Sequence, residues 1–202
     1  MPQVNPPPSR ALHAWAQDPE TGTFVTFGGG GETLLGDTWT MRLRDGTAEW
    51  TQVTAGVKPT PRFGAFSGMD EATGTLWLFS GQVAGGRFAD DVWLLDVRAD
   101  PPCWDIAPEV TTTPPGRRNG AVVMDPTGPR LWVFGGTFDG MTSAPGLWAL
   151  RAERGGARFD AVARDAQPPM RSSGIMAAVG GAVWRGFGND RSAYADMTRL
   201  GW

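Results

Sequence analysis

Few residues of this chain belong to types that do chemistry, so each can be weighed singly. His13 is the only histidine. It could serve as a general base or a metal ligand, but one histidine excludes a multi-histidine metal site within the chain, and a hydrogen-bonded structural role is the expected one. Cys103 is also alone, so no intrachain disulfide and no thiolate zinc cluster can form. Ser9, Ser67, Ser80, Ser143, Ser172, Ser173 and Ser192 are available as nucleophiles, yet none sits in a Gly-x-Ser-x-Gly elbow. Gly28-Gly29-Gly30-Gly31 has the look of a phosphate cradle. It lacks the following Lys-Ser or Lys-Thr and a helix to open, so it reads as a strand-end turn. Asp37, Asp90, Asp91, Asp139, Asp190 and Asp196 could offer oxygens to a hard cation. Their spacing matches no calcium loop, and turn capping is the expected role. No metal and no cofactor is expected.

The arginines carry more. Of 18 basic residues, Lys58 is the single lysine. Arg10, Arg62, Arg118 and Arg171 recur at spacings of 52, 56 and 53, each after a Pro-containing loop. Guanidinium groups gathered at one place could clamp a carboxylate or phosphate bidentately; alternatively they bond carbonyls and acids between structural units. Arg117, Arg87 and Arg191 have no counterparts in this spacing, and a residue unique on a repeated scaffold points to function.

These arginines mark a repeat of about 50 residues. About 17 residues after each comes an aromatic with a small pair: Phe27-Gly28-Gly29, Phe79-Ser80-Gly81, Phe134-Gly135-Gly136 and Phe187-Gly188-Asn189. Trp39, Trp93 and Trp148 follow, then Trp50, Trp104 and Phe159. Within a unit the reading is four strands. The first holds small residues, as in Gly64-Ala65-Phe66-Ser67. An Asp/Pro/Gly turn such as Asp70-Glu71-Ala72-Thr73-Gly74 leads into an aromatic, β-branched second strand, as hairpins require. The third and fourth strands carry the tryptophans. The repeats run 10–61, 62–117, 118–170 and 171–202, in a single unit spanning 1–202. The last has a third-strand candidate at Asp196 to Leu200 and no fourth. Gln3-Val4 precedes Arg10 much as Gln52-Val53 precedes Arg62, so residues 1–9 are a candidate closing strand, with Pro2 to Asn5 as outer strand of the last unit. That would cover an open edge.

The Phe-Gly-Gly pairs, Asp37-Thr38-Trp39, Asp91-Val92-Trp93, the later tryptophan and the Pro-x-Pro-Arg boundary together resemble the kelch repeat. The resemblance covers nearly the whole chain. It implies an all-β fold, a β-propeller of four kelch-like four-stranded blades. One chain could close a four-bladed ring, two copies could build an eight-bladed homodimer, or a different protein could complete an open half. Kelch propellers that bind acidic peptides use arginines at similar places, and a histidine near position 13 is commonly structural in such repeats.

Composition agrees with strands and turns. The 202 residues include 29 Gly, 17 Pro and 10 Trp, with 41% hydrophobic and 19% charged. Gly and Pro at this level argue against a helical bundle, and the apolar share argues against disorder. A net charge of −3 is no footprint of a nucleic-acid binder and draws the chain to no anionic membrane. Met1 to Arg10 lacks the apolar run of a secretory signal, and the longest weakly polar run, Gly174 to Trp184, is too short to span a bilayer. A cytoplasmic location is expected.

Specificity on a rigid scaffold lives in loops. Those between second and third strands, Gly30 to Gly36, Gln82 to Asp90, Thr137 to Gly146 and Asn189 to Ala195, share little sequence. They carry Arg87, Arg191, Phe88, Phe138, Met141 and Tyr194. The expected function is non-catalytic recognition of a protein, an acidic peptide or a small anionic ligand through one face, using the repeated arginines and these loop residues. The alternative is a small-molecule lyase, isomerase or cyclase acting at the channel mouth, with His13 as the catalytic group.

Overall fold

The computed structural model describes residues 1–54, 56–107, 110–139, 141–153, 156–162, 171–189, 193 and 195–200. It is all-β, with four sheets in chain order. Sheet I contains β1 (Gln3–Val4), β2 (Ala14–Gln17), β3 (Phe24–Gly30), β4 (Leu34–Arg44) and β5 (Thr47–Val53). Sheet II contains β6 (Phe66–Asp70), β7 (Thr75–Phe79), β8 (Val92–Asp96) and β9 (Cys103–Ile106). Sheet III contains β10 (Val110–Thr111), β11 (Ala121–Met124), β12 (Leu131–Phe134), β13 (Leu147–Glu153) and β14 (Gly156–Ala161). Sheet IV contains β15 (Ile175–Val179), β16 (Ala182–Gly186) and β17 (Met197–Leu200). Consecutive strands within each sheet pair antiparallel, apart from β1 and β10, which add to the outer edges of sheets I and III in parallel. One 3₁₀ turn, Ala84–Gly86, interrupts the loop before β8. No helix among the described residues is long and apolar enough to cross a membrane.

Burial follows from stacking the sheets face to face. Sheets II and III each have a neighbour on both sides. Their second strands, Leu76-Trp77-Leu78-Phe79 and Leu131-Trp132-Val133-Phe134, are therefore buried throughout, the apolar run of a strand covered on both faces. Sheet I has one neighbour, and β2 alternates: Ala14 and Ala16 are buried, Trp15 and Gln17 exposed. Three apolar clusters fill the three joints. Phe27 of sheet I meets Trp104 of sheet II edge to face at 5.3 Å, and Phe79 of sheet II meets Phe159 of sheet III at 4.5 Å. The third joint places Val183 and Met176 against Trp132 and Phe134. The first strands neighbour one another in the order β2, β6, β11, β15, and no comparable contact brings β15 back to β2. The described strands thus form an open arc.

Backbone hydrogen bonds tie each first-strand entry to the next. Gly64 N–H donates to Leu12 C=O (2.7 Å), Asn119 N–H to Gly64 C=O (3.1 Å), and Ser173 N–H to Asn119 C=O (2.7 Å). All four residues have φ between 53° and 64°. That left-handed geometry turns each amide toward the neighbouring sheet, and three non-glycine residues hold it at a strain cost.

Two expectations about strand placement change. Gln3–Val4 does not complete the last sheet; it lies parallel on β5 of sheet I, with Ala48 N–H donating to Pro2 C=O. Its counterpart is Val110–Thr111, which lies on β14 of sheet III in the same way. Gln52-Val53 is instead part of β5. The outer edge of the sheet the chain is about to enter offers unpaired ladder groups near at hand. The second change is in sheet IV. Phe187 (φ 57°) takes the left-handed place held by Gly28, Ser80 and Gly135, and Gly186 stands where the other sheets put phenylalanine.

Arg98 of sheet II pairs across to the hairpin turn of sheet I, with Asp18 and with the exposed Glu20 (2.7 Å). Asp18 is fully buried and accepts from Arg98 Nε (3.0 Å) and Nη2 (2.8 Å), reaching from sheet II to sheet I. These bonds from Arg98 outweigh the opposing effect of burial and hold the Asp18 carboxyl down to about 2. A carboxyl depressed on folding contributes stability above its ordinary value of 3.8 and loses it as pH falls toward the folded value. Asp18→Asn is therefore expected to lower stability by about 1–2 kcal/mol at pH 7, with the gap from the parent chain narrowing between pH 4 and pH 2. Urea unfolding across that range checks it; a gap independent of pH would refute the assignment.

Candidate ligand-binding face

Each sheet is pinned at one end by a buried arginine. In sheet I, Arg10 donates from Nη1 to Gly28 C=O (3.0 Å) and bidentately to Asp37 (2.9 Å each). In sheet II, Arg62 donates to Ser80 C=O (3.2 Å), Thr60 C=O (3.0 Å) and both oxygens of Asp91. In sheet IV, Arg171 donates to Phe187 C=O (3.0 Å) and to Asp196. Trp39 and Trp93 donate to the same carboxylates from Nε1, at 2.6 and 2.7 Å, which explains the Asp-x-Trp spacing. Burial pushes the Asp37 and Asp91 carboxyls up, but the arginine and tryptophan bonds overcome it and leave both below the usual value. Arg171 does the same for Asp196.

In sheet III this place belongs to Arg117, not Arg118. Arg117 is fully buried and donates to Pro115 C=O (2.9 Å), Gly135 C=O (3.3 Å) and Pro145 C=O (3.0 Å). Gly146 stands where the other sheets have aspartate, and its φ of 93° would strain an aspartate there. With no carboxylate partner among the described residues, burial pulls the Arg117 guanidinium down to about 10. Phe138 lies over this arginine, 5.5 Å from ring centroid to Cζ, so it packs inward under its own loop. Ser80 is structural as well: its Oγ donates to Arg117 C=O and accepts from Arg117 N–H, both at 2.9 Å.

The residue after each pinned arginine varies: Ala11, Phe63, Arg118 and Ser172. Each forms an isolated bridge with the residue leaving the second strand, namely Gly30, Gln82, Thr137 and Asn189. Ser172 is buried and donates from Oγ to Asn189 Oδ1 (3.0 Å), whereas the larger Phe63 and Arg118 are only partly buried. Arg118 is half-buried, its guanidinium 4.9 Å over the Phe63 ring, and no carboxylate among the described residues pairs with it. Phe63 bridges to Gln82, which bridges to Phe88, and exposed Arg87 precedes Phe88. Phe63, Gln82, Arg87, Phe88 and Arg118 thus share one end of sheets II and III. Phe63 and Gln82 escaped the sequence reading. Their signal was there: a non-repeating residue beside a repeating one.

The other candidates fall elsewhere. Met141 is exposed on the tip of a loop capped by Asp139, which accepts from Met141 N–H and Thr142 N–H. Arg191, Tyr194 and Asp190 lie outside the described residues. His13 is half-buried, and burial followed by the charge of Arg10 lowers its pKa. It lines an apolar hollow of about 260 Å³ with Pro7, Trp15, Phe24, Met41 and Trp50. Among the described residues no group of three His, Cys, Asp or Glu side chains could hold a metal ion. Gly28 and Gly29 form no strand-end turn but lie within β3 at a register shift against β4; a Cβ on Gly28 would meet Arg62 C=O at 2.6 Å, so these glycines serve a close approach between sheets rather than a ligand.

No protein-family model matches the chain. It is similar to Adagio-like protein 1 of Oryza sativa subsp. japonica, with 32% identity over 115 residues, which is 56% of this chain and 18% of that protein.

The two adjacent arginines make separable predictions. Arg62→Met is expected to cost about 3 kcal/mol or more, because it strands Asp91 and two carbonyls. Arg118→Ala is expected to cost less than about 1 kcal/mol. Urea midpoints at unchanged m-value measure both; equal costs would show that Arg118 is also an anchor.

Proposed function

We propose that the chain is a kelch-type β-propeller unit that acts as a non-catalytic recognition module. Its ligand is a protein segment or peptide carrying a carboxylate or phosphate beside an apolar group. Four sheets stacked in chain order, each pinned by an arginine and three of them by an Arg–Asp pair, support the propeller reading. The single observation that carries the function is the contrast within two adjacent residues of each repeat. The arginine that anchors the sheet is buried and spent on internal partners, while the next residue differs every time. Conserving the scaffold while varying the neighbouring position is how a repeat fold makes a specific surface.

Arg118 and Arg87 supply the cationic contacts, and Phe63 and Phe88 supply ring faces. A guanidinium already stacked on a ring is oriented before a ligand arrives, which lowers the ordering cost of a bidentate bond. The pinned Arg10, Arg62 and Arg171 take no direct part, since a ligand anion would have to displace an internal carboxylate. The likeness to a much longer plant protein over 115 residues fits a stretch used as a module. A cytoplasmic setting suits this role.

An immobilised set of acidic, phosphorylated and neutral peptides tests the reading. The parent chain is expected to retain acidic or phosphorylated peptides bearing an aromatic or aliphatic neighbour. Arg118→Ala is expected to weaken retention about tenfold, or about 1.4 kcal/mol, with folding unchanged. Retention of no peptide class by the parent chain, or equal binding by Arg118→Ala and Arg87→Ala, would overturn it.

A further inference from the structure

Every joint between sheets in this chain is built from two unlike faces. Call the face toward the following sheet the leading face and the opposite one the trailing face. At the first joint sheet I presents Ala14, Ala16, Val25 and Phe27, and sheet II answers with Met69, Leu76, Leu78, Trp93, Leu95 and Trp104. At the second, Phe66, Trp77 and Phe79 of sheet II meet Leu131, Val133, Leu150 and Phe159 of sheet III. The rule is one leading face against one trailing face; at the first two joints a large aromatic of the outer strand, Trp104 or Phe159, closes the joint, and at the third Val183 and Met176 of sheet IV meet Trp132 and Phe134.

Among the described residues one face of each kind is left unmatched. By strand register, the trailing face of sheet I carries Trp15, Phe24, Trp39, Met41 and Trp50. These stand where sheet II places Ser67, Leu76, Trp93, Leu95 and Trp104. Trp15 is 63% exposed, and the hollow of about 260 Å³ opens here. The leading face of sheet IV carries Ile175, Ala177, Val179, Trp184 and Met197. Ile175, Val179 and Met197 are each half or more exposed. Apolar surfaces of this kind on a folded chain mark an interaction site.

The backbone has matching loose ends. The line of bonds through Leu12, Gly64, Asn119 and Ser173 begins with a Leu12 N–H and ends with a Ser173 C=O, and neither has a partner among the described residues. Gly29, Gly81 and Gly136 each donate to the carbonyl of the next sheet's arginine, at 2.8, 3.1 and 3.1 Å. Gly188 occupies the same position in sheet IV and has no such acceptor among the described residues. The donor lies at one end of the arc and the acceptor at the other.

We infer that the leading face of sheet IV docks on the trailing face of sheet I of a second copy of this chain, and reciprocally, so that two copies close one ring of eight sheets through two identical head-to-tail joints. The inference rests on the proposed propeller architecture, not on the ligand-binding face. Each joint pairs the surfaces that the three internal joints pair, and each supplies an acceptor for Leu12 N–H. Four sheets and eight both fall within the range of propeller rings. Closure within one chain would have covered Trp15 and Ile175, which the structure leaves open. A head-to-tail joint that closes after two copies gives a finite particle instead of a filament.

Light scattering on the eluting full chain at micromolar concentration is the test. The expected particle has twice the 21.6 kDa chain mass. Trp15→Glu and Val179→Glu, on opposite faces, are each expected to give the single-chain mass. Mixing the two variants is expected to restore a two-chain particle, because one joint then joins two unaltered faces. A wild-type particle of 21.6 kDa, or one larger than two chains, overturns the inference even if a variant fails to fold. So does a dimer that only one of the two substitutions disrupts, or variants that stay apart when mixed, since both mean like faces have paired. Peptide retention by a single-chain particle would leave the recognition reading standing while this one falls.

Discussion

The bidentate bond between Arg62 and Asp91, with its counterparts at Arg10 and Arg171, is the contact on which the rest hangs. It joins the entry of the first strand to the start of the third, across the exit of the second, whose carbonyl takes a further bond from the same guanidinium. One side chain thus holds three strand ends in register. Burying it is costly, and the cost is offset because each anchoring guanidinium has carbonyls and, in three sheets, a carboxylate around it. Sheet III shows the limit of the device: with three carbonyls and no carboxylate among the described residues, the Arg117 guanidinium is held below its usual value.

From that pin the stacking follows. A second strand fixed at its end presents its faces squarely to two neighbours, and the left-handed pair beside it, Gly28-Gly29 or Gly135-Gly136, lets the next sheet's arginine carbonyl approach. The hydrogen bonds that run from sheet to sheet through Leu12, Gly64, Asn119 and Ser173 work only because the packed sheets bring these four residues into line. Packing and backbone bonding are therefore one constraint, and both stop at the same two faces.

The division between scaffold and surface also comes from the pin. A guanidinium with both edges occupied is unavailable to a ligand, whereas the next residue in sheet III, Arg118, lies half-buried over the Phe63 ring. Arg118 is thus freed by the very alternation that buries Arg117. Of the four arginines that recur in the sequence, Arg10, Arg62 and Arg171 bond internal carbonyls and acids, the alternative the spacing left open, and Arg118 does not share their anchoring place. The chain's own aspartates had already taken the anchors.

What the residues alone determined is the local order: a unit of about 50 residues, four strands in each of the first three units, aspartate turns, and the Asp-x-Trp that receives an arginine. These depend on short-range periodicity and turn chemistry, which the chain carries wherever it folds. Three things waited for tertiary structure. Arg117 and Arg118 are chemically identical neighbours, and only the position of Gly135 and Pro145 selects which one turns inward. Phe187 looks like the repeat phenylalanine, yet the register of β16 moves it into the left-handed position and leaves Gly186 in its place. Gln3–Val4 matches any edge with free ladder groups, and proximity gave it β5. In each case the deciding partner lies far away in sequence or competes with an equal alternative, so the choice belongs to the packed molecule.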